Sequence, residues 1–330
     1  MADKKGVILS GMRPTGKLHL GHLVGALENW INLQESFDCY FLVADYHVLT
    51  TAFDKSAEIP SNTHEMVLDW LAVGLDPERS TFLVQSKVHE HCELNLIFSM
   101  ITPMPWVERN PTIKEMIADL DLTGKIHYGL MGYPILQAAD ILLYRADLVP
   151  VGEDQVAHVE MTREIARRFN HLYAEVFPEP KSKLTNTPRL PGTDGKKMSK
   201  SLGNCIYISD GDEDVKQKVR QMVTDPQKVR RGDPGRPEIC SVYSYHELFN
   251  KAETDEIAED CRSGALGCVD CKGKLAGAVG TVLDPIRKRR GKFAGDPDKV
   301  RDTLAAGSEL AAKRAAETMR MVREAMGMEY

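Results

Sequence analysis

Two separated stretches of this sequence carry residue types that handle phosphate. The first is Ser10-Gly-Met-Arg13-Pro14-Thr15-Gly-Lys-Leu-His19-Leu-Gly21-His22, and the second is Lys196-Lys197-Met198-Ser199-Lys200-Ser201. His19 and His22 fall one turn apart at the start of an amphipathic pattern running from Leu20 to Leu33. Free backbone N–H groups and the positive dipole end favour an anion there. Gly21 between them removes a side chain where a ligand could press against backbone. The second stretch puts three lysines within five residues, after Pro191-Gly-Thr-Asp-Gly195 and before Gly203, and reads as a mobile cationic loop. Either stretch alone is ordinary: a solvated histidine pair, or a lysine-rich surface. Together they suit a nucleoside triphosphate whose charge changes during reaction. There is no Walker glycine-lysine loop and no G-x-G-x-x-G.

A second set of polar groups sits in apolar surroundings. The run from Gly132 to Tyr144 reads as a helix opening at Pro134, with Gln137 and Asp140 three apart on one face. A carboxylate among Leu136, Ile141 and Leu142 needs a partner, because burying it unpaired is costly. Gly152-Glu153-Asp154-Gln155 opens a further helix reaching Phe169, a place that suits ribose hydroxyls or phosphates. Further on, Cys240, Cys261, Cys268 and Cys271 form C-x20-C-x6-C-x2-C. Four thiolates suit tetrahedral zinc and an iron-sulfur cubane equally. Cys39 and Cys92 have no such neighbours and read as core residues; Cys205 has no evident role.

Elements that must position these groups follow from hydrophobic pattern. Gly6–Leu9, Cys39–Ala44, Ser80–Gln85 and Leu148–Val151 read as strands alternating with helices such as Glu58–Leu75 and Glu90–Thr102. That implies an α/β, doubly wound parallel sheet of Rossmann-like form, with ligands at the C-terminal strand ends, where Asp45 to His47 and Ser86 should also gather. Beyond Gly203 the pattern is helical throughout, so residues 1–203 read as a catalytic domain including the lysine loop and 204–330 as a smaller all-helical domain. The final helix reads as packing. The 330 residues, 42% hydrophobic and 27% charged, suffice for a sizeable core. No apolar signal segment and no run of membrane-spanning length occurs, which predicts a cytoplasmic chain without membrane attachment. Net charge is -6, so RNA contacts must come from local patches, of which Arg287–Lys292 and Lys228–Arg231 are the best.

The H-x-G-H and K-M-S-K-S stretches, in this order and separation, resemble the two signatures of class I aminoacyl-tRNA synthetases. Tyr133-Pro134 with Asp140, then Val149-Pro-Val-Gly152-Glu153-Asp154-Gln155, is similar to the bacterial tryptophanyl-tRNA synthetases over nearly the whole chain. The family often has other residues at the positions of Arg13, His19, His22 and Gln137. Tyr133, Gln137 and Asp140 also resemble the pocket of archaeal-type tyrosyl enzymes. Leu9 separates the two, since the tyrosyl pocket carries a tyrosine there and an apolar residue suits an indole face.

The resemblance implies ATP with Mg2+, L-tryptophan and tRNA(Trp) as ligands, and a homodimer. It makes His19, His22, Lys197 and Lys200 catalytic. It gives ATP Arg13, Pro14, Thr15, Gly21, His22, Gly152, Glu153, Asp154 and the loop Lys197-Met198-Ser199-Lys200-Ser201. It gives tryptophan Leu9, His47, Tyr133, Gln137, Asp140 and Gln155. The helical domain would carry the anticodon contacts. A subset of the family holds a [4Fe-4S] cluster on cysteines in this order, which favours the cluster over Zn2+ at Cys240, Cys261, Cys268 and Cys271. A tyrosyl enzyme is the nearest alternative. A cofactor-forming nucleotidyltransferase would not need the residues beyond the lysine loop, and a nucleotide sensor would not need both motifs intact.

Overall fold

The computed structural model describes residues 4–119, 126–184 and 190–329, apart from the side chains of Met116, Ala118, Asp119 and Asp154. Among them, β1 (Val7–Met12), β2 (Asp38–Val43), β3 (Ser80–Val84), β4 (Leu148–Val151) and β5 (Lys181–Leu184) form one parallel sheet in the order β3-β2-β1-β4-β5. In β2 only Asp38 is not fully buried, as its continuous apolar run requires of a strand covered on both faces. The chain steps outward from β1 to β2 and β3 on one side, then crosses back to place β4 and β5 on the other side of β1. This is the switch point where such sheets open a crevice beyond the strand ends. Of the five strands, β5 (Lys-Ser-Lys-Leu) was not anticipated. It is an edge strand with largely exposed side chains, and charged edge residues carry little apolar signal.

Helical boundaries differ from expectation at one informative place. Pro134 lies inside the helix Tyr128–Leu143 rather than opening it. The proline forfeits one backbone hydrogen bond, and the helix persists because Leu130, Tyr133, Ile135, Ala138 and Ala139 are buried along it. Cys92 is exposed, contrary to its reading as a core residue, whereas Cys39 and Cys205 are buried. On the helix Glu90–Ile101 the buried stripe is His91, Leu94, Phe98 and Ile101, and Cys92 points off it.

The helices after Gly203 are fastened to the sheet. Apolar residues from both sides of this position share one core, in which Ile8, Phe41 and Phe82 pack with Val279 and Leu283. The long helix Cys268–Ala294 ends in arginines that act as internal anchors. Arg289 Nε donates to the Ala72 carbonyl at 2.6 Å, Arg290 Nε to Asp69 Oδ1 at 2.7 Å, and Arg287 to the Asp210 carbonyl at 2.9 Å. In the other basic patch Lys228 is buried and its Nζ donates to the Asp233 carbonyl at 2.5 Å, whereas Arg230 and Arg231 are exposed. Arg287, Arg289, Arg290 and Lys228 therefore serve the fold. The final helix, Pro297–Met326, returns to β3, where the Val84 N–H donates to Ser308 Oγ at 3.1 Å. Only glycine fits at 307, because a Cβ there would stand 1.9 Å from the Phe82 carbonyl oxygen.

Candidate active site

A cavity of about 630 Å³ opens at the C-terminal ends of β1 and β4. Leu9, His47, Tyr133, Gln137 and Asp140 line its inner part, and Arg13, Gly21, His22, Gly152, Gln155 and Lys197 also border it. A larger groove, about 1060 Å³, runs between the helices Asp212–Gln221 and Cys268–Ala294. Its lining mixes Lys216, Arg220 and Lys272 with Asp212, Glu213 and Asp284, without the imidazole and lysine signatures. The chemistry is concentrated in the smaller cavity.

The two signature stretches are stitched together. Leu20 N–H donates to the Ile206 carbonyl and Ile208 N–H to the Leu18 carbonyl, each at 2.9 Å, which fastens the chain after the lysine loop to the histidines. Lys200 Nζ then reaches Thr15 O, Thr15 Oγ1 and Gly16 O, all at 3.0 Å. Met198 packs over Gly21, whose absent Cβ would lie 3.0 Å from the His19 ring. Ser199 and Ser201 face each other through their hydroxyls at 2.8 Å. Pro14 is buried in the turn and Glu153 is exposed, while the Asp154 side chain lies outside the described residues.

The loop's organiser is Asn204, which sequence reasoning missed. Its Nδ2 donates to Asp194 Oδ1 at 2.7 Å and to the Lys197 carbonyl at 3.1 Å, and its Oδ1 accepts from Ser199 N–H at 2.8 Å. A second missed support is Asp69, fully buried, whose Oδ2 accepts from the Leu18 N–H at 2.7 Å beside His19 while Arg290 holds its other oxygen.

The His19 and His22 rings lie against each other at a 39° tilt, centroids 3.7 Å apart. Burial, reinforced by Lys200, lowers the His19 imidazole to about 4. Burial, then His19 and Lys200, holds His22 well below its ordinary value. Near neutral pH both rings are therefore uncharged and offer N–H donors, and among the described residues His19 Nδ1 has no hydrogen-bond partner. Such rings suit charge that arrives with a phosphate better than a standing anion. Lys200 is lowered to about 8, chiefly by burial, with Cys205 and Asp69 opposing. Its ammonium is charged below that pH and neutral above it. If this charge serves the reaction, kcat/KM for ATP should fall as pH rises through about 8, and Lys200→Arg should remove that fall. A flat wild-type profile from pH 7 to 9.5 would remove Lys200 from the charge-bearing role.

Deeper in the cavity, Asp140 is buried and fully engaged on one oxygen. Oδ1 accepts from Gln85 Nε2 at 2.7 Å and from His91 Nδ1 at 2.6 Å, and Oδ2 meets His47 Nε2 at 2.8 Å. Burial pushes the Asp140 carboxyl up, but the imidazoles of His91 and His47 outweigh this and hold it below its usual value. It is thus a carboxylate acceptor at neutral pH. Tyr133 Oη lies 2.9 Å from His158 Nε2, whose Nδ1 lies 2.9 Å from Gln155 Oε1, so a buried histidine links two of the expected tryptophan contacts. Gln85, His91 and His158 were not anticipated. For Gln85 and His91 the available signal was position, since both follow β3 at the sheet's C-terminal edge.

The family described as tRNA synthetases class I (W and Y) matches residues 1–284. The chain belongs to this family. Among its relatives, the tryptophan–tRNA ligase of Thermotoga maritima is 50% identical, the match covering 98% of this chain and 99% of the relative. That of Aquifex aeolicus is 44% identical, covering 97% and 99%. Of solved structures, the tryptophanyl-tRNA synthetase of Campylobacter jejuni complexed with ADP and tryptophan superposes with TM-score 0.86 at 32% identity, covering 97% of this chain and 99% of that one. A tyrosyl-tRNA synthetase of Archaeoglobus fulgidus complexed with L-tyrosine reaches 0.67 at 26% identity, covering 86% and 90%. The chain is therefore an aminoacyl-tRNA synthetase with the family's parallel-sheet fold. No helix among the described residues is long and apolar enough to cross a membrane.

Proposed function

We propose that the cavity below Lys200 is where this chain, a tryptophan–tRNA ligase, activates L-tryptophan with Mg·ATP before transfer to tRNA(Trp). The observation that carries the site assignment is the buried Asp140 carboxylate, which faces a cavity whose inner wall at Leu9 is apolar. An indole needs one N–H acceptor and flat apolar contact, and both are provided there. Tyr133 and Gln155, joined through His158, suit the amino-acid end, and Gly152 with Glu153 suits the ribose. The substrate carboxylate attacks the α-phosphate in line, and pyrophosphate leaves. His19, His22, Lys197 and Lys200 stabilise the phosphate charge, so positioning and electrostatics perform the step without a covalent enzyme intermediate. Labelled tryptophan with tRNA(Trp) and ATP should yield charged tRNA; adenylate formation without charging would limit the assignment to the first step.

Residues 204–330 are proposed to carry the anticodon contacts, and the chain to work as a homodimer. Large apolar side chains at Phe53, Leu96, Met100 and Tyr128, each more than half exposed, with Phe53 and Tyr128 lining one shared groove, support the dimer. Sedimentation at micromolar concentration should give twice the chain mass.

For Cys240, Cys261, Cys268 and Cys271 we propose a [4Fe-4S] cluster. The four cysteines line one small void. Burial, then the neighbouring thiols, pushes Cys271 up to about 12 and also raises Cys261, which marks a dry and mutually close sulfur set. Among the described residues no three His, Cys, Asp or Glu side chains converge in a single ion's geometry. Four thiolates suit a cubane or a tetrahedral zinc equally, and it is the resemblance to the cluster-bearing members of the family that favours the cubane. Bound there, the cluster would fasten the loop before Ser241 to the start of the helix Cys268–Ala294. Anaerobically purified protein should be brown, with iron and acid-labile sulfide each near four per chain, and Cys268→Ser should impair tRNA charging more than pyrophosphate exchange. Colourless anaerobic protein with one zinc per chain would overturn the cluster.

A further inference from the structure

The carboxylate of Asp140 has about four lone-pair positions. Two on Oδ1 are taken by Gln85 Nε2 and His91 Nδ1, and one on Oδ2 by His47 Nε2. Among the described residues nothing donates to the remaining Oδ2 position, which is left for a ligand. How that position is aimed depends on the plane of the carboxylate, which the two donors on Oδ1 hold from behind. Of these, His91 is fully buried and is itself held: its Nε2 lies 2.8 Å from the hydroxyl of Tyr144, another fully buried side chain that stacks on Tyr40 at 4.8 Å.

Tautomer chemistry gives this chain of contacts a direction. A carboxylate only accepts, so His91 Nδ1 must donate to Asp140. In the neutral ring Nε2 is then an acceptor, and the Tyr144 hydroxyl must donate to it. Burial first, then the Asp140 charge, keeps the Tyr144 phenol well above its ordinary value, so its proton is always present. Asp140 thus sets the His91 tautomer, and the buried Tyr144 hydroxyl, able to donate or accept, holds the far nitrogen of the ring in place. No residue of this relay except Asp140 lines the cavity.

We infer that His91, braced from behind by Tyr144, is a positioning residue for amino-acid specificity: it aims the open lone pair of Asp140 at a ring N–H. The inference rests on the reading of Asp140 as the indole acceptor. It separates His91 from a packing residue, because loss of aim penalises only a ligand that uses the open lone pair. A tryptophan analogue with ring sulfur in place of the N–H keeps the shape and lacks the donor.

The test measures KM for tryptophan and for this sulfur analogue in ATP–pyrophosphate exchange, using wild type, Asp140→Asn, His91→Leu, His91→Asn and Tyr144→Phe. Wild type should prefer tryptophan by about tenfold or more, and Asp140→Asn should abolish the preference. His91→Leu should lose most of it through a higher tryptophan KM, leaving the KM values for the analogue and ATP within about twofold. His91→Asn, whose amide can donate from near the Nδ1 position, should recover part. Tyr144→Phe should weaken the preference as well, and it keeps the test available if His91→Leu does not fold. A wild type without preference would remove the reading of Asp140 and this inference with it. A wild-type preference kept by the folded His91 and Tyr144 variants would overturn the role of His91 alone.

Discussion

Alanine at Lys200 is expected to slow tryptophanyl-adenylate formation by roughly 100-fold or more while leaving equilibrium tryptophan binding within about twofold. Lys200 does not line the inner cavity; it spans from the lysine loop to the turn at Thr15 and Gly16. In the free chain its ammonium is satisfied by two carbonyls and a hydroxyl. A triphosphate offers stronger, charge-assisted acceptors as negative charge moves onto the leaving pyrophosphate. An interaction that grows along the reaction lowers the barrier without strengthening ground-state tryptophan binding. Rapid-quench measurement of adenylate, with tryptophan binding followed separately by fluorescence or calorimetry, distinguishes the two effects. Equal losses in rate and in tryptophan affinity would make the loop part of the amino-acid pocket.

Changing Asp140 to asparagine should raise the tryptophan KM by roughly 30- to 100-fold with little change in the ATP requirement. Asparagine is the informative replacement. Alanine would leave Gln85, His91 and His47 without their acceptor in a dry site, and breaking such a buried charged set costs about 3 to 5 kcal/mol of stability. The amide keeps one acceptor oxygen but presents N–H groups where either His47 or the Gln85 and His91 donors require an acceptor. Steady-state exchange at saturating ATP, with a melting curve to confirm folding, checks the expectation. An unchanged tryptophan KM in a folded variant would make Asp140 structural.

Much of this arrangement was legible in sequence because it rests on local pattern. The apolar runs of β2 and β4, the turn at Pro14 and Gly16, and the two signature stretches each announce themselves within a few residues. Asp140 was legible as a problem, a carboxylate on an apolar helix, but its solution was not. Gln85, His91 and His47 reach it from other elements, and no spacing rule encodes a contact 49 to 93 residues away. Asn204 and Asp69 were missed for the same reason, since each matters through backbone groups it satisfies across the fold. In the basic run near residue 290, Arg289 meets the carbonyls at one helix end and Arg290 a buried carboxylate, pairings that a run of charges does not announce. β5 was invisible because an exposed edge strand has no apolar signature to read.

The most direct test of the central claim is ATP–pyrophosphate exchange with L-tryptophan and L-tyrosine side by side on the same preparation. Leu9 gives a tyrosine hydroxyl no partner on that wall, and on the proposed reading Asp140 accepts the indole N–H, so tryptophan should drive exchange with kcat/KM at least about 1000-fold above that for tyrosine. Exchange driven as well or better by tyrosine would contradict the account.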